Sequence, residues 1–281
     1  MAITVPDANA LPKIAPMMAA LGAHLCGPAC QDYHRAWGFL RLYGTLPAVG
    51  RDHEILLSTL RSEIRGGRRN VLVSGSADAG ILAYVLESLR SEDATGRVAV
   101  VDRCPTPLAV NTWYAAQIGW PIETWCGSVQ DYCGRGFELV VAHNFLNSIA
   151  PGDRPSICQS WHDALKPGGR VAMITQIKPA GEECGLRFDA NKTALLIDDL
   201  LQARKGSKHA DLISAEELAV IATSFAEARY SYRLRQRSDI TGPLEAAGLR
   251  VLEYRDYRPS LETSNAELKR TRLVVIAERP E

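Results

Sequence analysis

Three places in this sequence combine residue types and spacings that suit chemistry. The first is the small-residue turn "SGSADAG", which follows the Val-rich run "VLVSG" and precedes "ILAYVLESLRS", a helical pattern. Gly75, Ser76 and Ala77 let a ligand come close to the backbone there, and the following helix start offers free N–H groups. The second is Asp102, straight after the apolar run "VAVV". A carboxylate at such a strand end can accept both hydroxyls of a ribose. The third is the pair His143 and Asn144 after "LVVA". A histidine titrates near neutrality and can take a proton from an attacking hydroxyl or amine. The competing reading is a histidine held structurally by packing or a hydrogen bond.

Other clusters carry less. Tyr33, His34, Trp37, Arg41 and Tyr43 give the N-terminal helices an aromatic and basic face. Either they lid a pocket, with Arg41 holding a ligand carboxylate, or they pack into the core. Trp113, Trp120 and Trp125 read as core. "ARYSYRLRQR" carries Arg229, Arg233, Arg235 and Arg237 and reads as a solvated basic helix face, ahead of a contact to an anionic substrate. The seven cysteines are odd in number and form no CxxC pair. They read as reduced thiols, mostly buried. Cys26 and Cys30 lie one helical turn apart with His24 and His34 near, but no further partner is legible, so no metal site is assigned.

The elements that must position these residues follow from the patterning. The 281 residues are 46% apolar and 23% charged, which excludes a disordered chain, a collagen and a disulfide miniprotein. Lys plus Arg and Asp plus Glu are both 32, which argues against a protein built to grip a phosphate backbone. No run approaches the roughly 18–20 apolar residues of a membrane span. The stretch from Ile14 to Cys26 has no basic region before it and reads as a helix, so the chain is expected in the cytoplasm. Residues 1–66 form an N-terminal helical region, two of its helices divided by Gly44 to Gly50 with Pro47 between them. From residue 67 strands alternate with helices, the signature of a parallel sheet covered on both faces. A polar helical insert is expected at about 178–238, with "SAEELAVIATSFAEARYSYRLRQR" as one amphipathic helix capped by Ser214. Two strands, "RVLEYRDYRP" and "RTRLVVIAERP", then close the chain as an antiparallel pair.

Strand, small turn, helix, strand and acid fit any adenosine-type ligand. A dinucleotide site wants G-x-G-x-x-G, and this turn offers Gly75, Ala77 and Gly80. Asp78 also puts a negative charge where a pyrophosphate would sit, whereas a sulfonium raises no such objection. The order of the remaining pieces resembles the class I S-adenosylmethionine-dependent methyltransferases. "VLVSGSADAG" stands at that family's glycine turn, "VAVVDR" at its second motif and "WCGSVQDY" at its adenine turn. "FELVVAHNFLNSI" is similar to its fourth strand, "ALKPGGRVAMI" to its helix–Pro-Gly-Gly–strand stretch, and the strands after "LEAAGLRVLE" to its reversed last hairpin. Two turn glycines are alanine and Ser128 replaces the usual Asp, so the adenine contact falls to the backbone of Ser128 and Val129 and to Asp131.

The resemblance implies a Rossmann-like, doubly wound α/β fold: a seven-stranded mixed sheet with an N-terminal helical lid and a helical insert. It implies S-adenosylmethionine as cofactor, S-adenosylhomocysteine as product, and methyl transfer to a small-molecule acceptor. Gly75, Ser76, Ala77, Asp102, Arg103, Ser128, Val129, His143 and Asn144 would bind the cofactor. His143 is the candidate base, and Tyr33, Trp37 and Arg41 the candidate lid. A nucleic-acid substrate is disfavoured, because no Asp/Asn-Pro-Pro-aromatic or Pro-Cys signature follows the fourth strand. A second copy of the chain is the one protein partner considered. The alternatives are a protein that kept the fold and acts by binding and, behind it, an NAD-dependent oxidoreductase.

Overall fold

The computed structural model describes residues 5–28, 30–46, 48–178, 185–186, 188–259 and 271–281. Five strands, β1 (Val71–Ser74), β2 (Val98–Asp102), β3 (Glu123–Cys126), β4 (Phe137–His143) and β5 (Leu165–Ile177), run parallel. Strands β6 (Gly185–Leu186) and β7 (Ser231–Tyr232) form a separate antiparallel ribbon. Strands β8 (Arg250–Tyr257) and β9 (Thr271–Glu278) complete the main sheet in the order β3-β2-β1-β4-β5-β9-β8, with β9 antiparallel to both neighbours. The seven-stranded mixed sheet and its reversed last pair are as the patterning predicts.

The central strands are continuous apolar runs because helices cover both faces. All four residues of β1 are buried. On one face lie α1 (Leu11–Leu25), α3 (His53–Arg65), α4 (Gly80–Ser91) and α5 (Pro105–Gln117), which bury Ile14, Leu60, Leu82 and Leu108 against Val71, Val73, Val100 and Val141. On the other, α6 (Arg154–Ala164) and α9 (Ser238–Ala246) bury Trp161, Ile157 and Leu244 against Leu72, Val140 and Met173. The Trp161 indole donates to Ser74 Oγ at 2.8 Å, so its one polar atom is satisfied inside the core.

A third apolar core joins two distant segments. Phe39 and Leu40 of α2 (Gln31–Leu42) pack with Leu200 of α7 (Ala190–Lys205) and with Leu218 and Phe225 of α8 (Ala215–Ala228). Ser214 caps α8, accepting from the Glu217 N–H at 3.1 Å. The expected long helix through Arg237 is corrected here, because α8 ends at Ala228 and Ser231–Tyr232 pair with Gly185–Leu186 as strand. Tyr230 and Tyr232 favour extended backbone, and a cross-strand partner overrides the helical spacing. Among the described residues no helix is long and apolar enough to cross a membrane.

Leu72 is fully buried at the middle of the sheet. Leu72→Ala should lower unfolding free energy by about 2–5 kcal/mol. Urea denaturation monitored by circular dichroism reads this, and a loss below about 1 kcal/mol would contradict the assigned core position.

Candidate active site

The turn after β1 and the end of β2 are wired together. Gly75 has φ +77°, and a Cβ on it would lie 2.2 Å from Cδ2 of Phe145, so conformation and space both require glycine. The Ser76 N–H donates to Asp102 Oδ2 at 2.9 Å and the Cys104 N–H to Oδ1 at 2.8 Å. Burial pushes the Asp102 carboxyl above its ordinary range, and the two backbone donors and Arg103 pull it part of the way back. Each carboxylate oxygen keeps lone-pair capacity for one more donor. The Ser76 hydroxyl turns inward to the Asp78 carbonyl at 2.5 Å and receives Asn111 Nδ2 at 3.1 Å, so Ser76 meets the site through its backbone. Arg103 is exposed.

Register brings the next turn alongside. Asp102 lies opposite Cys126, and the Gly127 N–H donates to the Asp102 carbonyl at 2.9 Å. Ser128 then opens a short 3-10 turn, with its hydroxyl accepting from the Gln130 N–H at 3.4 Å and Val129 buried behind it. Gly75, Ser76, Asp102, Ser128 and Val129 therefore converge on one sheet edge.

His143 ends β4 at the same edge, and its partner is one the sequence did not disclose. Its Nε2 lies 2.7 Å from Asp52 Oδ2, and Asp52 is fully buried. Asp52 also accepts from the Tyr257 hydroxyl at 2.6 Å and from the Arg272 guanidinium. Burial alone would raise the Asp52 carboxyl, but the His143 hydrogen bond, then the Arg272 charge and the Tyr257 hydrogen bond, hold it below its ordinary value. Asp52 is the N-cap residue of α3, yet its side chain makes no capping hydrogen bond. Asn144, with φ +51°, sets Nδ2 at 3.3 Å from His143 Nδ1. Its Oδ1 is buried without a partner among the described residues.

The lid residues sit differently from expectation. Arg41 does not point a free guanidinium at a ligand carboxylate. It is buried and held by Asp7 and Asp78, with Nη1 at 2.7 Å from each. Trp37 Nε1 donates to the same Asp78 at 2.8 Å. The charge of Asp78 is thus matched inside the fold, so it does not repel a pyrophosphate in the way its place in the sequence suggests. Tyr33 stacks on Trp37 at 5.2 Å between ring centroids and meets Phe225 at 5.4 Å. Its phenol is raised chiefly by burial, with Arg229 acting to lower it and Asp78 and Asp102 to raise it. Arg229 is no solvated face. Its guanidinium lies over Phe225 and Phe188 at 5.6 and 5.7 Å, and burial lowers its pKa.

No family model matches the sequence, and no curated protein matches it either. Solved structures do. A S-adenosylmethionine-dependent methyltransferase from Clostridium acetobutylicum aligns over 86% of this chain and 98% of its own at 12% identity, with a TM-score of 0.56. The chain has the class I methyltransferase fold. Two further structures share this methyltransferase fold at a TM-score of 0.51. One is the Burkholderia thailandensis 1,6-didemethyltoxoflavin-N1-methyltransferase with bound 1,6-didemethyltoxoflavin and S-adenosylhomocysteine, 17% identical over 92% of each chain. The other is a geranyl diphosphate methyltransferase in complex with S-adenosylmethionine, 11% identical over 87% of this chain and 90% of its own.

The Asp52 cluster yields a stability test. Its folded pKa is lowered, so its contribution is present above the unfolded value of about 3.9 and is lost as pH falls through the folded value. Arg272→Met should cost about 3 kcal/mol at neutral pH, the lower end for a broken buried pair because Tyr257 and His143 stay. It should also flatten the acid side of the stability profile. Urea midpoints across pH measure both, and an unchanged profile would remove Arg272 from the cluster's electrostatics.

Proposed function

We propose that this chain transfers a methyl group from S-adenosylmethionine to a small-molecule acceptor. The observation that carries the reading is Asp102. Its carboxylate is clamped by the Ser76 and Cys104 N–H groups at the sheet edge, with acceptor capacity left on both oxygens. That donor set fits a ribose diol. The buried Asn144 Oδ1 at the neighbouring strand end, unpartnered among the described residues, gives a second acceptor for a ligand donor. Bound there, the cofactor would supply an electrophilic methyl on a sulfonium. The methyltransferase fold supports the reading, as do the S-adenosylmethionine and S-adenosylhomocysteine bound to its fold neighbours. The antiparallel β9 between β5 and β8 departs from the classic dinucleotide-binding strand order, and this stands against NAD in place of the Asp78 argument.

In this reading the chain positions the acceptor and manages one proton. Tyr33 and Trp37 wall the site, with Trp37 fixed by Asp78. His143 donates its Nε2 proton to the ionised Asp52, which leaves Nδ1 as the ring's acceptor. Displacement at a methyl group depends mainly on alignment, so Nδ1 assists by receiving the acceptor's proton. The balance of 32 basic and 32 acidic residues favours a small molecule over a nucleic acid. A second reading, a fold that binds the cofactor without turnover, is favoured by the burial of His143, whose side chain is 7% exposed.

Calorimetric titration with S-adenosylmethionine, S-adenosylhomocysteine and NAD tests the pocket. Binding of the first two and not the third is expected. Asp102→Ala should weaken it roughly 10- to 150-fold, equivalent to about 1.5–3 kcal/mol. No binding of the first two would sink the reading.

His143→Ala tests the proton-accepting role. Proton acceptance predicts S-adenosylhomocysteine affinity within a few-fold and a turnover loss of about 10²–10⁴ with any accepted substrate. Undiminished turnover would leave His143 a structural residue.

A further inference from the structure

The corner between α1 and α2 meets the loop after β2, and there the fold assembles a cluster that no local spacing announces. Cys26 follows the last residue of α1, Cys30 precedes the first of α2, His34 lies one turn into α2, and Cys104 precedes α5. Their four candidate ligand atoms all lie within 4.8 Å of one another. Cys26 Sγ is 3.1 Å from Cys104 Sγ and 3.3 Å from His34 Nδ1. Cys104 Sγ is 3.7 Å from Cys30 Sγ and 3.4 Å from His34 Nδ1. His34 and Cys104 are buried, and Cys26 and Cys30 are half-buried.

Zinc bonds of about 2.3 Å to sulfur and 2.0–2.1 Å to nitrogen, arranged tetrahedrally, place thiolates about 3.8 Å apart and each about 3.6 Å from the ring nitrogen. Three of the four observed distances reach those lengths with shifts of a few tenths of an ångström, and the Cys26 and Cys104 sulfurs must part by about 0.7 Å. Three thiolates and one imidazole are a soft donor set with a closed first sphere, the composition of a structural zinc site. The surroundings suit the anionic complex that forms when three thiol protons leave. Cys30 and Cys104 stand at the N-terminal ends of α2 and α5, where helix dipoles favour negative charge. Thr106 Oγ1 lies 3.1 Å from Cys26 Sγ and can donate to it.

We propose that Cys26, Cys30, His34 and Cys104 bind one Zn²⁺ that pins the α1–α2 corner to the loop carrying Asp102. The site is structural, with no coordination position left for a reacting water. The sequence reading assigned no metal because the fourth ligand, Cys104, is 78 residues from Cys26. The proposal stands on this geometry and is independent of the methyltransferase reading.

The test uses the full chain, purified reduced, incubated with excess Zn²⁺, desalted and assayed for metal by mass spectrometry. One zinc per chain is expected. Cys104→Ser should lose it, whereas Ser in place of the exposed Cys133 should leave it unchanged. His34→Cys should retain the metal through a fourth thiolate, and His34→Ala should not. Wild-type protein loaded with Co²⁺ reads the site without any substitution, through the thiolate-to-cobalt and d–d absorption of a tetrahedral complex. Reduced, folded wild type that holds no zinc and shows no tetrahedral cobalt spectrum would overturn the proposal. So would a Cys26–Cys104 disulfide as the stable state of protein purified without chelator.

Discussion

A carboxylate removed from water must be matched by charge and hydrogen bonds or it drives the structure apart. Among the described residues four are buried, Asp7, Asp52, Glu63 and Asp78, and Glu63 pairs with Arg68 and Arg170. Asp7 and Asp78 share one guanidinium, that of Arg41, and Asp52 collects His143, Tyr257 and Arg272. The first cluster binds the extreme N-terminal segment and α2 to the turn after β1. The second binds the connector before α3 to the ends of β4, β8 and β9. Losing any single partner leaves a charge behind in the interior. The N-terminal helices therefore have one docked position in which Asp7, Asp52 and Asp78 are all satisfied, and that position sets the walls of the candidate site.

The apolar packing reinforces the same arrangement. Residues of α2 and α8 lie far apart in sequence yet bury Phe39, Leu40, Leu218 and Phe225 in one core. Tyr33, Phe225 and Arg229 stack across that seam. This aromatic seam is thus built jointly by the N-terminal region and the segment after β5. Its shape depends on both, while Gly75, Asp102 and His143 stay on the rigid sheet edge.

What was legible in the sequence was what neighbours in the chain determine. Continuous Val-rich runs gave the central strands, since burial on both faces removes alternation. The small turn and the acid after "VAVV" gave Gly75 and Asp102, because each is set by position relative to its own strand. Side-chain pairs across the fold left no such trace. Asp52 is 91 residues from His143, and an Asp before a helix already has an ordinary explanation as a cap. The lid arginine was legible as a residue and not as a role, since its carboxylate partners lie 34 and 37 residues away. Asp78 misleads for the same cause. A charge in a sequence is not a field in a site until its counter-charge is known, and Arg41 supplies it.

The loop after β2 shows how closely positioning and recognition are joined. Cys104 does two separate things from one position. Its backbone N–H holds Asp102 Oδ1, while its side chain turns to the α1–α2 corner and sits 3.4 Å from His34 Nδ1. The Ser76 N–H holds the other oxygen of Asp102. A carboxylate gripped at both oxygens by backbone donors from two different turns cannot rotate, so its remaining lone pairs point in fixed directions. Whatever anchors the Cys104 side chain therefore also fixes the orientation of Asp102. The helix that carries His34 also carries Tyr33 and Trp37, so these aromatics and Asp102 are referenced to the same point in the fold.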